Sequence, residues 1–305
     1  MASLELVQAA LAHHRASVPV PVLCLTRDPS LLTQSQARAL AAAAILPCQS
    51  APRDLIEATR ELMSGGAPQE ARSPVPTLPR DVRVGVQTAG AALNDLFVAA
   101  KSRKPVSVSS LDRGGEAVLA VVRGEHLRAW LDLVRTHDDV TYQHCLLVAG
   151  LAAAFAVRLG LTVKGQRLLS QAALVHDIGK AHVPSGILNK PGRLSPEEAS
   201  VMRTHAAVGH QFLLQQKGVD PLLLDVVRHH HEYLDGSGYP DGLKGTQISQ
   251  VVRVITICDI YAAMIERRAY KSPASPSKAL DILAEMGPKL DSDLLRVFGS
   301  VVRGS

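Results

Sequence analysis

Residues 176–241 concentrate imidazole and carboxylate groups in a way that restricts the folds open to the whole chain. The stretch opens with His176-Asp177-Ile178-Gly179-Lys180, passes His205 and reaches His229-His230-His231-Glu232. Asp235-Gly236-Ser237-Gly238-Tyr239-Pro240 follows, and then Cys258-Asp259. Histidine with carboxylate suits borderline divalent metals such as iron, manganese or zinc. Groups this far apart in sequence meet at one point only if several elements turn a face inward, as the helices of a bundle-core metal site do.

The wording of the chain supports such helices. Ser195-Pro196-Glu197-Glu198 reads as a capping-box start with proline at the first helical position. Met202, His205, Gly209 and Phe212 recur along one expected helix, with His205 on its inward face. Asp220-Pro221 starts the next helix, with Leu223, Val226 and Val227 on its apolar side and His230 and His231 at its end. A later helix places Val251, Ile255, Cys258, Asp259 and Ala262 along one stripe. His144 lies on a helix with Leu147, Val148 and Leu151.

The N-terminal third reads differently. Residues 18–26 suggest a short buried strand, helical stretches follow over 30–45 and 52–63, and Ile45-Leu46 marks a further strand between them. This βα alternation resembles a truncated receiver domain, but no acidic cluster accompanies a phosphorylatable aspartate, so an accessory or dimerisation segment is expected. Gly65, Gly66, Pro68, Pro74, Pro76 and Pro79 mark a linker. Helical periodicity returns over 84–100, residues 101–115 are polar and glycine-containing, and the remainder is helical. The expected division is an accessory domain at 1–66, linker and connecting helix at 67–115, and the metal-binding domain at 116–305. The fold class is mainly α, a helical bundle with a small N-terminal α/β domain.

Composition excludes some functions. Aromatic residues are 3% of the chain, too few to stack successive bases, so a nucleic-acid polymer is not an expected partner. The longest apolar run, 145–157, falls short of the ~18 residues of a membrane span. No basic start precedes an apolar segment, so neither a secretion signal nor a membrane is expected. Cys24, Cys48, Cys145 and Cys258 show no paired spacing, which suits a reduced, cytoplasmic protein.

His176-Asp177, His230-His231-Glu232, the Gly238-Tyr239-Pro240 loop and Asp259 occur in the order and at spacings similar to those of the HD-GYP family, over roughly residues 116–305. That family is a branch of the HD phosphohydrolases, and it cleaves cyclic di-GMP. The resemblance implies an HD-type bundle with His144, His176, Asp177 and Asp259 around one cation. Asp177 would bridge to a second cation held by His205, His230 and His231. Iron is the first expectation for both ions and manganese the next. Asp177 and Lys180 would serve catalysis; Lys180, Gly238, Tyr239, Arg268 and Lys271 would meet the substrate, the last two as a phosphate-gripping basic pair. His229 is expected outside the set, and His13, His14, His126, His137, His182 and His210 are read as ordinary polar residues.

Three departures from the family's pattern shape the expectation. Val140 stands where three-metal members carry a glutamate, which implies two metals. Ala262 replaces an aspartate that would hydrogen-bond a guanine edge, a loss worth ~1–3 kcal/mol of base discrimination. Ala269 replaces a proline. The expected reaction is hydrolysis of cyclic di-GMP to linear pGpG, with GMP the lesser end product. The alternatives are a weakly active dinucleotide sensor or protein-interaction module, and a phosphohydrolase for another nucleotide. A homodimer or protein partner would use the N-terminal domain.

Overall fold

The computed structural model describes residues 23–26, 44–47, 56, 59–60, 78–137, 139–266 and 273–303. The chain divides into two units, Met1–Thr77 and Leu78–Ser305. In the first, strands β1 (Leu23–Thr26) and β2 (Ala44–Pro47) pair in parallel, with Leu23 opposite Ala44. Both fall where strands are expected, and parallel pairing fits a βα crossover. Of the linker expected over 64–81, residues 64–77 lie outside the described residues and Arg80 and Asp81 are already helical; the helices expected over 30–45 and 52–63 lie almost wholly outside the described residues.

The second unit is helical, with α1 (Arg80–Lys101), α2 (Val108–Arg123), α3 (Leu127–Val134), α4 (Val140–Arg158) and α5 (Val163–Val175). A 3₁₀ turn over Ile178–His182 and a short α6 (Ser185–Leu188) lead to α7 (Pro196–Arg203), α8 (His205–Leu214) and α9 (Pro221–His229). Then come α10 (Gln250–Ile265), α11 (Pro276–Glu285) and α12 (Ser292–Arg303). This unit begins well ahead of the expected boundary at 116, because α1 buries Val82, Val86, Leu93, Leu96 and Phe97 in the same core as the later helices. Residues 108–115 are helical rather than a polar connection. Gly114 and Gly115 there are packing positions: a Cβ on Gly114 would lie 2.9 Å from Leu174 of α5, and one on Gly115 2.7 Å from Gln171.

Central to the bundle is α4. Every residue from Gln143 to Ala153 is buried, as suits a helix apolar on all sides. By length and composition its 19 residues would cross a membrane, further than the expected 145–157 run, yet most of that stretch is buried inside the protein. The single tryptophan fixes α3 to it: the Trp130 indole N–H donates to the Leu146 carbonyl at 2.9 Å, over a surface left open by Gly150.

Helix starts follow the sequence. Asp139 caps α4 by accepting from the amides of Thr141 and Tyr142 at 2.9 and 3.0 Å, so His144 sits just over one turn in. Ser195 and Glu198 form the expected capping box, and Asp220 and Ser249 cap α9 and α10. A further expectation fails. The helix through Met202 and Phe212 is two helices, broken at Thr204, whose hydroxyl donates to the Val201 carbonyl at 2.7 Å and competes with the helical ladder.

Candidate metal centre

Four segments of the bundle converge on Asp177. His176 closes α5 and Asp177 opens the 3₁₀ turn, so the junction turns both side chains inward, where they are 0% and 1% exposed. His144 enters from α4, His205 from the first position of α8, His230 and His231 from the end of α9, and Asp259 from the middle of α10. His144, His205, His230 and Asp259 are buried; His231 is partly exposed.

The two oxygens of Asp177 face different groups. Oδ1 lies 3.2 Å from His205 Nε2 and 3.8 Å from His230 Nε2. Oδ2 lies 3.3 Å from His176 Nε2, 3.7 Å from His144 Nε2 and 2.5 Å from Lys180 Nζ. Asp259 presents Oδ1 to His144 Nε2 at 2.8 Å and to His176 Nε2 at 4.0 Å, and Oδ2 to His231 Nδ1 at 3.6 Å. Two donor sets result, each with its atoms within 4.8 Å of one another: His144, His176 and Asp259; and Asp177, His205, His230 and His231.

Hydrogen bonds behind the rings fix which nitrogen faces inward. Nδ1 of His176 donates to the Ala173 carbonyl and Nδ1 of His205 to that of Met202, both at 2.7 Å; Nδ1 of His230 donates to Val226 and Val227 at 3.1 Å. Each Nε2 is thereby left as a lone-pair donor. Nε2 of His205 and Nε2 of His230 then face each other at 3.3 Å, an opposition of lone pairs that a cation between them relieves. His176 Nε2 and Asp177 Oδ1 are buried with no hydrogen-bond partner, an expensive state for polar atoms and a normal one for metal ligands. The residues fit a pair of divalent cations on these grounds.

The electrostatics agree. Burial works against charge on Asp177, but the Lys180 ammonium outweighs it and holds the carboxyl well below the usual range. Asp259 is likewise held low, with His144 outweighing burial. Burial, with neighbouring imidazoles, keeps His230 well below the usual histidine value, and burial pushes His231 down to about 3. His144 runs the other way: burial opposes its charge, but Asp259 and Glu266 push it up to about 9.

The remaining expected residues divide. Tyr239 stacks on His231 with ring centroids 4.7 Å apart, and the Arg203 guanidinium lies 5.4 Å from the tyrosine centroid. Gly238 lies against protein backbone: a Cβ there would be 2.5 Å from Glu232 Cα and from the Tyr233 amide. On that side the residue serves close packing of the loop. Arg268, Lys271 and Ala269 lie outside the described residues, as do His13 and His14. His229 stands apart from the centre, its ring between Asp225 at 2.7 Å and Asp241 at 3.0 Å. Val140 is the first residue of α4, 44% exposed.

Sequence reasoning gave no role to Glu232 or Glu266. Glu232 is buried and accepts from the amides of Asp241, Gly242 and Leu243 at 2.6, 3.0 and 3.1 Å, which ties the Gly-Tyr-Pro loop down. Glu266, also buried, lies 3.0 Å from His144 Nδ1. Its signal was its spacing, seven residues past Asp259 on the same helical face.

Residues 128–294 match the HD domain family. A curated cyclic di-GMP phosphodiesterase of Pseudomonas aeruginosa is 36% identical over 76% of this chain and 52% of its own length. A 3'3'-cGAMP-specific phosphodiesterase 1 of Vibrio cholerae is also 36% identical, over 57% of this chain and 40% of its own. The chain thus spans about half, or less, of the length of these relatives. Among solved structures, a HDG"Y"P protein from Bdellovibrio bacteriovorus shares the fold at a TM-score of 0.62 and 18% identity, over 83% of this chain and 82% of that one. With its family match, its curated relatives and the His-Asp pair and Gly-Tyr-Pro loop in place, the chain belongs to the HD domain family, in its HD-GYP branch.

Proposed function

We propose that this chain is a metal-dependent phosphodiesterase that opens cyclic di-GMP to linear pGpG, with GMP a lesser end product. The observation that carries the reading is the division of Asp177, with Oδ1 toward His205 and His230 and Oδ2 toward His176 and His144. This supports one cation among His144, His176, Asp177 and Asp259 and a second among Asp177, His205, His230 and His231. Bound there, two cations would supply a nucleophile from water near neutral pH and neutralise charge on the attacked phosphate.

The chain's own residues do the rest. Neutral imidazoles with two carboxylates leave a two-cation site net positive, which suits an anionic diester. Lys180, anchored on Asp177, brings an ammonium to where phosphate oxygens gain charge. Tyr239, held by the Gly238 turn, forms a wall of the substrate site over His231. Arg268 and Lys271 would take the second phosphate. Mixed imidazole and carboxylate ligation favours iron, then manganese. Val140 offers no donor atom, which favours two metals over three. The buried thiols Cys145 and Cys258 suit a reducing cytoplasm, and the N-terminal unit would engage a second copy or a protein partner.

A second reading, hydrolysis of a mixed cyclic dinucleotide, is favoured by Ala262 and by the named specificity of the Vibrio relative. Incubating the iron- or manganese-loaded chain with cyclic di-GMP or 3'3'-cGAMP, and resolving products by chromatography, separates these readings. Formation of pGpG is expected. Linear product from 3'3'-cGAMP alone would move the assignment to that nucleotide, and binding without product would make the chain a sensor.

A further inference from the structure

His176, His205 and His230 are each held from behind by backbone carbonyls, whereas His144 is backed by a carboxylate. Glu266, 2% exposed, ends α10 and reaches His144 Nδ1 at 3.0 Å. Asp259, two turns earlier on the same helix, reaches the opposite edge of the ring at 2.8 Å from Nε2. One helix therefore grips one imidazole through both nitrogens. A carbonyl offers a partial charge and a carboxylate a full one, and in a dry interior the difference is large. A carboxylate on Nδ1–H draws that proton and sends electron density to Nε2.

We propose that Glu266 is a positioning residue that fixes His144 in the tautomer aiming Nε2 at the first cation and strengthens that nitrogen as a donor. The inference rests on the two-cation reading above and makes the two halves of the centre unequal. The half built on His144, His176 and Asp259 receives a donor reinforced by a buried carboxylate. The half built on His205 and His230 relies on imidazoles tied to carbonyls. Glu266 bears on the centre through the His144 ring.

The test is a titration of metal-free protein with Mn(II), free ion being followed by its electron paramagnetic resonance signal. The wild-type chain is expected to take two ions. Glu266→Gln keeps the shape but removes the charge, and should weaken one ion by roughly 10–100-fold while leaving the other unchanged. His144→Ala should weaken the same ion, and adding Glu266→Gln to it should cost nothing further. Wild-type affinity at both ions in Glu266→Gln overturns the proposal, and so do additive losses in the double variant, which would mark a general structural role. If Glu266→Gln fails to fold, Glu266→Asp takes its place: the carboxylate is drawn back by one methylene, and the loss must again vanish in the His144→Ala background. A wild-type chain that binds no ion overturns the two-cation reading and this inference with it; two ions bound without a Glu266 effect overturns the inference alone.

Discussion

Gly179 lies against the carbonyl oxygen of His205 so closely that a Cβ on Gly179 would overlap it and come 2.7 Å from the Gly209 amide. The contact locks the 3₁₀ turn that follows Asp177 and carries Lys180 to the helix that opens with His205, and so sets the distance between Asp177 Oδ1 and His205 Nε2. Gly179→Ala should push these segments apart. Overpacking of this kind costs about 1–3 kcal/mol. Denaturant unfolding should register that loss, and metal analysis should show the ion at His205, His230 and His231 depleted first. A Gly179→Ala chain with both ions and unchanged stability would show that this contact does not set the site.

A substitution at Lys180 would separate metal binding from chemistry. Its ammonium sits 2.5 Å from Asp177 Oδ2 and lends no ligand atom. Lys180→Ala is therefore expected to retain both metals while turnover of cyclic di-GMP falls by about 10²–10³-fold, the scale for removing one preorganised charge from a transition state. Metal content and product formation measured on the same sample check this. Loss of metal in step with activity would make Lys180 a structural counter-ion instead.

Protons and cations would compete for His144. In the metal-free protein its pKa is pushed up to about 9, with burial opposing and Asp259 and Glu266 prevailing. A raised folded-state value means the stability contributed by this charged imidazole is fully present below the unfolded value of ~6.5 and is lost as pH rises through about 9. Metal-free protein should therefore unfold at lower denaturant near pH 9.5 than at pH 6. Metal binding has the opposite sign, because the ion must displace the Nε2 proton: apparent affinity should rise about tenfold per pH unit until pH passes 9. Chemical denaturation and Mn(II) titration across this range check both slopes.

Much of the centre was legible because its chemistry is local in sequence. His176-Asp177 and His230-His231 are adjacent pairs, and His205 and Asp259 lie on stripes that periodicity reveals. The capping residues Ser195 and Asp220 fixed the helix starts. What was hidden depends on packing between distant segments. Nothing at Gly114 or Gly115 says that glycine inside a helix serves close approach to α5, so residues 108–115 read as a connection. Thr204 gives no sign that its hydroxyl breaks a helix. Glu266 looks like a helix-end charge until α4 brings His144 beside it. The motif at Gly238 gives no sign that its bare Cα packs against the backbone of Glu232 and Tyr233.

That last contact yields a prediction in which shape and chemistry part. Gly238 lets the loop fold onto the residues after α9, where the Tyr239 amide donates to the His231 carbonyl at 3.2 Å and the ring stacks on His231. Gly238→Ala must lift the loop, because the added methyl meets backbone and not a side chain that can swing aside. His231 then loses the ring that restrains its orientation, and turnover should fall by at least tenfold, with the His231-side ion held more weakly. Tyr239→Phe keeps the ring and the amide, so it should hold both ions as wild type does, and any loss would appear in KM for the dinucleotide. Ion titration and steady-state kinetics of the two variants check the distinction. Tight binding of both ions by Gly238→Ala would mean that the loop serves the substrate alone and leaves His231 to orient itself.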